Sequence, residues 1–344
     1  MRILSDEKSE EWKSIYVEDL DDLWYLRNII RKGDAIRMTV MRRLEKQDDI
    51  NRLKEQSRKP VTLTIRTDEV EFQEFVDRLK VLGTIVSENE NLRGEHQSFL
   101  ISPGTTFDLR KEEWNTEESK LIKEAQSHYF SQEYIFVSLD DEQATISIMR
   151  SYGIQSAARI DSLKSGKFYE NNYSEKTYIG EIISTLKGII KKESVIIILG
   201  PGFTHDHLYS SIRDDNMLAK YQSYNFSTGR SDQGAVYEFL SKPESEQIFS
   251  ESRLLKEKRL IEEFSRNLKT GERATYGYED VLKAVEAGSA EKIMLTEEEF
   301  RKERSRRILD LAAKSGTGIH IFSSQSESGQ LVRSFGGYCA ILRY

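Results

Sequence analysis

The chain of 344 residues carries 51 lysines and arginines against 58 aspartates and glutamates, a net charge of −7 at pH 7. That length exceeds one comfortable core and points to three domains, and the negative balance excludes a uniformly basic nucleic-acid binder, so that any RNA contact must come from local patches. No apolar run approaches the roughly 20 residues of a membrane helix, the amino end lacks the pattern of a signal peptide, and the single Cys339 can form neither an internal disulfide nor a cysteine metal cluster; a cytoplasmic protein is expected, with Cys339 as a small buried apolar residue.

From Leu20 to Lys32 the residues Leu20, Leu23, Trp24, Leu26, Ile29 and Ile30 recur near helical spacing, and Gly33 suits the stop. Short β-rich runs follow at Ile36 to Met41, Val61 to Thr67, Thr84 to Ser87 and Phe99 to Ile101, which predicts a small barrel or curled sheet. Tyr134 to Leu139 and Ala144 to Met149 flank Asp140-Asp141-Glu142-Gln143 as a hairpin. A helix over Tyr178 to Lys191 feeds Val195-Ile196-Ile197-Ile198-Leu199, whose unbroken apolarity suits a strand buried on both faces. Helices are expected at 204–220 and 231–241, and Lys242-Pro243-Glu244-Ser245 reads as a linker. A long charged helix over 244–269, helix 279–287, strand Lys292 to Leu295, helix 297–315, strand Ile319 to Ser323 and a final strand over 339–344 complete a second α/β pattern.

Several segments carry chemistry. Arg42 to Lys59 holds seven basic residues, among them Arg42, Arg43, Lys46, Arg58 and Lys59, against four acidic ones; it reads either as an RNA-contacting loop or as a solvated helix face, and the residues alone favour the second. Pro201-Gly202-Phe203 combines a preset backbone angle, a reversal and an aromatic that either projects as a partner anchor or tucks into the core. The stretch from Arg159 through Lys164 to Lys167 is a basic loop without a nucleophile. The acidic group Glu18, Asp19, Asp21 and Asp22 could hold a divalent cation, although acidic residues at a helix start ordinarily meet the dipole and cap free amides. His205 and His207 lack a third ligand that the sequence can place, and the basic run from Arg301 to Arg307 reads as a solvated helix face. No Gly-x-x-x-x-Gly-Lys-Ser/Thr loop is present, so the chain itself is expected to bind no nucleotide.

An ordered set of motifs then narrows the reading. Asp22 to Asp34 runs an acidic-Trp helix into a Gly-Asp turn; Val70-Glu71-Phe72, Leu82-Gly83 and Gly94 to Phe99 follow; Pro201-Gly202-Phe203 closes a buried strand; Ala274 to Gly277, Ile319 to Ser323 and Gly336 to Tyr344 lie near the carboxyl end. Together they resemble the archaeal Pelota family, relatives of the translation termination factors. The resemblance implies a multidomain α/β protein: an Sm-like β-barrel over 1–126, a central RNase-H-like α/β domain over 127–243, and over 244–344 a domain like the ribosomal proteins that bind kinked RNA. It further implies a ribosome-rescue factor of messenger-RNA surveillance, monomeric, working on the ribosome and its message with an elongation factor 1-alpha-like GTPase that contacts Pro201, Gly202 and Phe203. It makes Arg42 to Lys59 the segment entering the decoding site and sets Arg159 to Lys167 where termination factors hold their catalytic loop. Those factors carry Gly-Gly-Gln to admit water to peptidyl-tRNA. Here the one Gly-Gly, Gly336-Gly337, precedes Tyr338, so peptide release is not expected. The family has also been ascribed a divalent-metal-dependent endoribonuclease activity, which stands as the alternative function.

Overall fold

The computed structural model describes residues 1–6, 12–42, 59–73, 76–86, 92–128, 132–162, 174–191, 194–249, 252–271 and 273–344. It separates into two compact units, Met1–Phe130 and Ser131–Tyr344.

In the first unit, strands β1 (Arg2–Asp6), β2 (Trp12–Tyr16), β3 (Ala35–Arg42), β4 (Lys59–Gln73), β5 (Arg78–Ile85), β6 (His96–Ile101) and β7 (Thr106–Arg110) form one sheet in the order β1-β2-β7-β3-β4-β5-β6. Every pairing in it is antiparallel. The third expected strand, Thr84 to Ser87, is displaced: β5 starts at Arg78 and ends at Ile85, because its alternate residues Leu79, Val81 and Ile85 are the ones that reach the core. Helix α1 (Leu20–Ile29) buries Leu23, Leu26 and Ile29, and α2 (Thr116–His128) completes the unit. The Gly-Asp turn after α1 has a mechanical reason. Gly33 adopts φ of +97°, open to glycine at little cost, while Asp34 accepts from the Arg31 amide at 2.7 Å and from the buried Lys111 ammonium at 2.6 Å.

In the second unit, β8 (Glu133–Leu139), β9 (Gln143–Arg150) and β10 (Gly153–Asp161) pair antiparallel, and β11 (Ser194–Gly200) and β12 (Gln222–Ser227) join parallel, giving the order β10-β9-β8-β11-β12. All seven residues of β11 are buried. Its side chains alternate between two cores, Ile196 and Ile198 with α3 (Glu175–Ile189) and α4 (Thr204–Asp214), Val195, Ile197 and Leu199 with α5 (Gln233–Leu240). The third sheet, β13-β16-β14-β15, uses β13 (Ala274–Tyr276), β14 (Ala290–Thr296), β15 (Gly318–Phe322) and β16 (Tyr338–Leu342), with Cys339 buried and its thiol pushed up to about 12 by desolvation.

Four expectations in this unit need correction. The helix expected over 204–220 ends at Asp214, because Asp215 turns extended and accepts from the Met217 and Leu218 amides to start a separate short turn over Leu218–Lys220. Lys242 to Ser245 is no linker: Pro243 opens α6 (Pro243–Phe249), where its missing amide costs nothing, and Phe249 packs edge-on to Tyr134 at 4.7 Å between ring centroids. The long charged helix is two, α6 and α7 (Arg253–Thr270), since Ser252 caps the second by accepting from the Leu255 amide at 3.3 Å. Helix 297–315 is likewise split into α9 (Glu297–Phe300) and α10 (Ser305–Ser315), with α8 (Tyr278–Glu286) before them and α11 (Glu327–Ser334) after. The buried Ser305 hydroxyl, 2.7 Å from that of Tyr338, fixes the break.

Phe249→Ala should lower stability by about 3–5 kcal/mol, as expected for an excavated aromatic core position. Chemical denaturation checks this; a loss under 1 kcal/mol would mean that α6 behaves as a tether.

Candidate functional site

The central turn sits where β11 ends. A methyl group on Gly200 would lie 2.0 Å from the Leu139 carbonyl oxygen, so that strand end admits only glycine. Gly202 follows at φ of +70°, and Phe203 begins the helix, its carbonyl accepting from the Asp206 and His207 amides at 3.0 and 3.1 Å. The backbone thereby turns the Phe203 ring away from both cores, and it is 77% exposed. Of the two sequence readings of this aromatic, the projecting one is the conformation present.

Around that turn the polar groups are engaged with one another. His205, buried, sets Nδ1 2.7 Å from Asn225 Oδ1, and Asn225 Nδ2 donates to Asp206 at 2.7 Å. His207 instead faces Glu175 at 2.7 Å, and that hydrogen bond raises its pKa. The two imidazoles therefore do not converge on one ligand. Asp140 accepts from the Glu142 and Gln143 amides through Oδ1 and from Ser231 through Oδ2. Arg230 pairs twice with Asp232, at 2.9 and 2.7 Å. Carboxyl ends of parallel strands are the usual ligand edge of such sheets, and here the described side chains form no nucleophile, base and acid set.

Arg42 and Lys59 are opposed across the β3–β4 pair, so 43–58 is the connection between two strands. Arg43, Lys46 and Arg58 lie outside the described residues. Arg42 donates to the exposed Glu95 at 2.5 Å, a surface pair worth about 0–1 kcal/mol. Arg159, on β10, pairs with Asp161 at 3.3 Å with both side chains exposed; Lys164 and Lys167 lie outside the described residues. On the third sheet's side, Arg304 and Lys302 pair with Glu299, Arg306 with Glu303 and Arg307 with Glu286.

The acidic group at α1 is used by the chain itself. Asp19 and Asp22 make a reciprocal capping box. Asp22 also accepts the Met1 ammonium at 2.7 Å, Glu18 accepts the same ammonium at 3.1 Å and Arg2 at 2.6 Å, and Asp21 is buried. Burial and the neighbouring Asp19 charge raise the Asp22 carboxyl above its ordinary range, against the pull of the ammonium. Glu18 and Asp22 do not fit a divalent ion, since their carboxylates already face cations and amides; among the described residues no three His, Cys, Asp or Glu side chains are arranged to hold one.

A seven-stranded antiparallel sheet, a five-stranded sheet with strands in RNase-H order and a four-stranded sheet flanked by helices define a multidomain α/β protein. Residues 1–126 match the model of the Pelota N-terminal domain, and residues 254–344 that of eRF1 domain 3. The pelota homologue of Picrophilus torridus is 40% identical over 344 residues, covering 100% of this chain and 99% of that protein. The crystal structure of the Thermoplasma acidophilum Pelota protein matches with a TM-score of 0.79 at 31% identity over 100% of this chain and 99% of that one. The chain belongs to the Pelota family. The structure of Saccharomyces cerevisiae Dom34, described as a translation termination-like factor involved in RNA quality control pathways and interacting with Hbs1, shares the fold at a TM-score of 0.54 and 20% identity, over 100% of this chain and 98% of that one.

Asp22→Ala should leave the Asp19 cap in place but lose the bonds from the Glu18 and Asp19 amides and leave the buried Met1 ammonium facing Glu18 alone, a loss of about 1–3 kcal/mol. Millimolar Mg²⁺ or Mn²⁺ should leave the melting temperature of the unaltered protein unchanged. A metal-induced rise that Asp22→Ala abolishes would restore the metal reading through ligand linkage.

Proposed function

We propose that this protein is a ribosome-rescue factor: brought to a stalled ribosome by an elongation factor 1-alpha-like GTPase, it senses an empty or unreadable decoding site and promotes subunit separation without releasing the peptide. The observation that carries the proposal is the exposed Phe203 at the carboxyl end of β11 in a chain of the Pelota family. An aromatic held out by a rigid strand-to-helix turn loses little freedom on binding and makes a strong anchor. The interaction of the yeast relative with Hbs1 supports a protein partner of this kind. The chain has no phosphate-binding loop of its own, so nucleotide hydrolysis would belong to the partner.

The connection 43–58, opening from Arg42 and Lys59 at the ends of two paired strands, is the segment we assign to the message channel. With the flanking Arg42 and Lys59 the segment carries a charge of +3 in a chain of −7, which suits phosphate contact. Action in the cytoplasm, as a monomer, within surveillance of stalled messages completes the reading.

Phe203→Ala should weaken binding to the GTP-loaded partner by about 1–3 kcal/mol, a usual hot-spot loss, with unchanged melting temperature because the ring is outside both cores. With stalled ribosomes and end-labelled message, sedimentation should show separated subunits and full-length message whether or not a chelator is present. Chelator-sensitive cutting of the message would favour the endoribonuclease instead.

A further inference from the structure

The outward face of the first sheet carries an array of arginines and aromatics that sequence patterning does not reveal. Residues opposed across antiparallel strands share a face. Arg2 thus lies beside Tyr16, Trp12 beside Arg110, Arg110 beside Ala35, Ala35 beside Arg66, Ser14 beside Asp108, Asp108 beside Arg37 and Arg37 beside Thr64. The intervening Ile15, Ile36, Leu63, Ile65, Phe107 and Leu109 turn inward and are buried. On these positions four arginines stand against one aspartate, Asp108, whereas the whole chain is at −7.

The arginines are also oriented. The Trp12 indole has the Arg37 guanidinium 4.7 Å and the Arg110 guanidinium 4.9 Å from its ring centroid, and Arg2 lies 5.0 Å from the Tyr16 ring. Asp108 accepts from Arg37 Nε at 2.8 Å, which fixes that side chain further. Beyond them the exposed Thr39 and Thr62 hydroxyls stand 2.8 Å apart. A guanidinium held against an aromatic ring keeps its N–H edge for a phosphate and its second face for a base. Hydroxyls on the same surface can meet phosphates and 2′-hydroxyls.

We propose that this face of β1, β2, β7, β3 and β4 binds single-stranded RNA, with Arg37, Arg66 and Arg110 meeting phosphates and the Arg–Trp12–Arg stack supporting an unpaired base. Five strands about 4.8 Å apart make a platform roughly 19 Å across. An acidic protein segment would use its charge but leave the stacked planes idle, and a regular duplex keeps its bases from them. The face uses none of residues 43–58 and gives the rescue reading a second RNA contact; it rests on that reading only for the class of ligand.

The test is fluorescence anisotropy of a labelled RNA decamer with the purified full chain at several salt concentrations. Arg37→Gln/Arg66→Gln/Arg110→Gln should bind roughly tenfold or more weakly, and the slope of log affinity against log salt should fall by about 2, near 0.7 for each lost contact to a single strand. The single change Arg66→Gln, at an exposed position, should lower the slope by about 0.7 and serves if the triple variant does not fold. Unchanged affinity and slope would overturn the proposal, as would a duplex or polyaspartate binding as tightly as the single strand. No ribosome is present, so this result and the outcome of the subunit-separation experiment fail or succeed independently.

Discussion

The second unit is organised around a strand that has no solvent side. Every residue of β11 from Ser194 to Gly200 is buried, and its alternating side chains feed two separate cores. Such a strand obliges helices to cover both faces and leaves its carboxyl end as the one place where the chain can emerge. The Leu139 carbonyl forbids a side chain at Gly200, the positive φ of Gly202 reverses the path, and Phe203 emerges into solvent. The exposed aromatic is therefore a consequence of the core beneath it, and a partner docking there would meet a surface already fixed in shape.

The same unit is tied together by α7. Leu254 and Leu255 in its first turn belong to the core under the central sheet, while Ile261 and Phe264 belong to the core of the third. Glu257 lies between these turns, buried, bonded to Arg253 at 3.0 Å and Ser326 at 3.2 Å, and desolvation pushes its carboxyl up to about 7 despite the arginine. A helix that serves two cores explains why both sheets fall in one compact unit.

What could be read from the sequence was what depends on near neighbours. The period of Leu23, Leu26 and Ile29 marked α1, and the unbroken apolar run marked β11. Strand β12 escaped because Gln222 to Ser227 mixes aromatics with polar residues along an edge that is only half covered. The breaks within the two expected long helices depend on the Ser252 cap and on the meeting of Ser305 with Tyr338, 33 positions away. The spacing of the acidic group before α1 could not show that Met1 and Arg2 pair with Glu18. The arginine and tryptophan face was invisible for the same reason: Trp12, Arg37 and Arg110 meet only once β7 is inserted between β2 and β3.

The Gly-Gly-Gln triplet that lets termination factors admit water is missing from the chain, and the described polar groups around the Phe203 turn are bonded to one another. The proposed rescue role therefore predicts separation of the subunits without release of the peptide. The most direct measurement follows the labelled peptide while stalled ribosomes are incubated with this protein and the proposed elongation factor 1-alpha-like GTPase. The account predicts that the peptide stays esterified to tRNA as the subunits come apart; free peptide appearing at the rate of separation would contradict it.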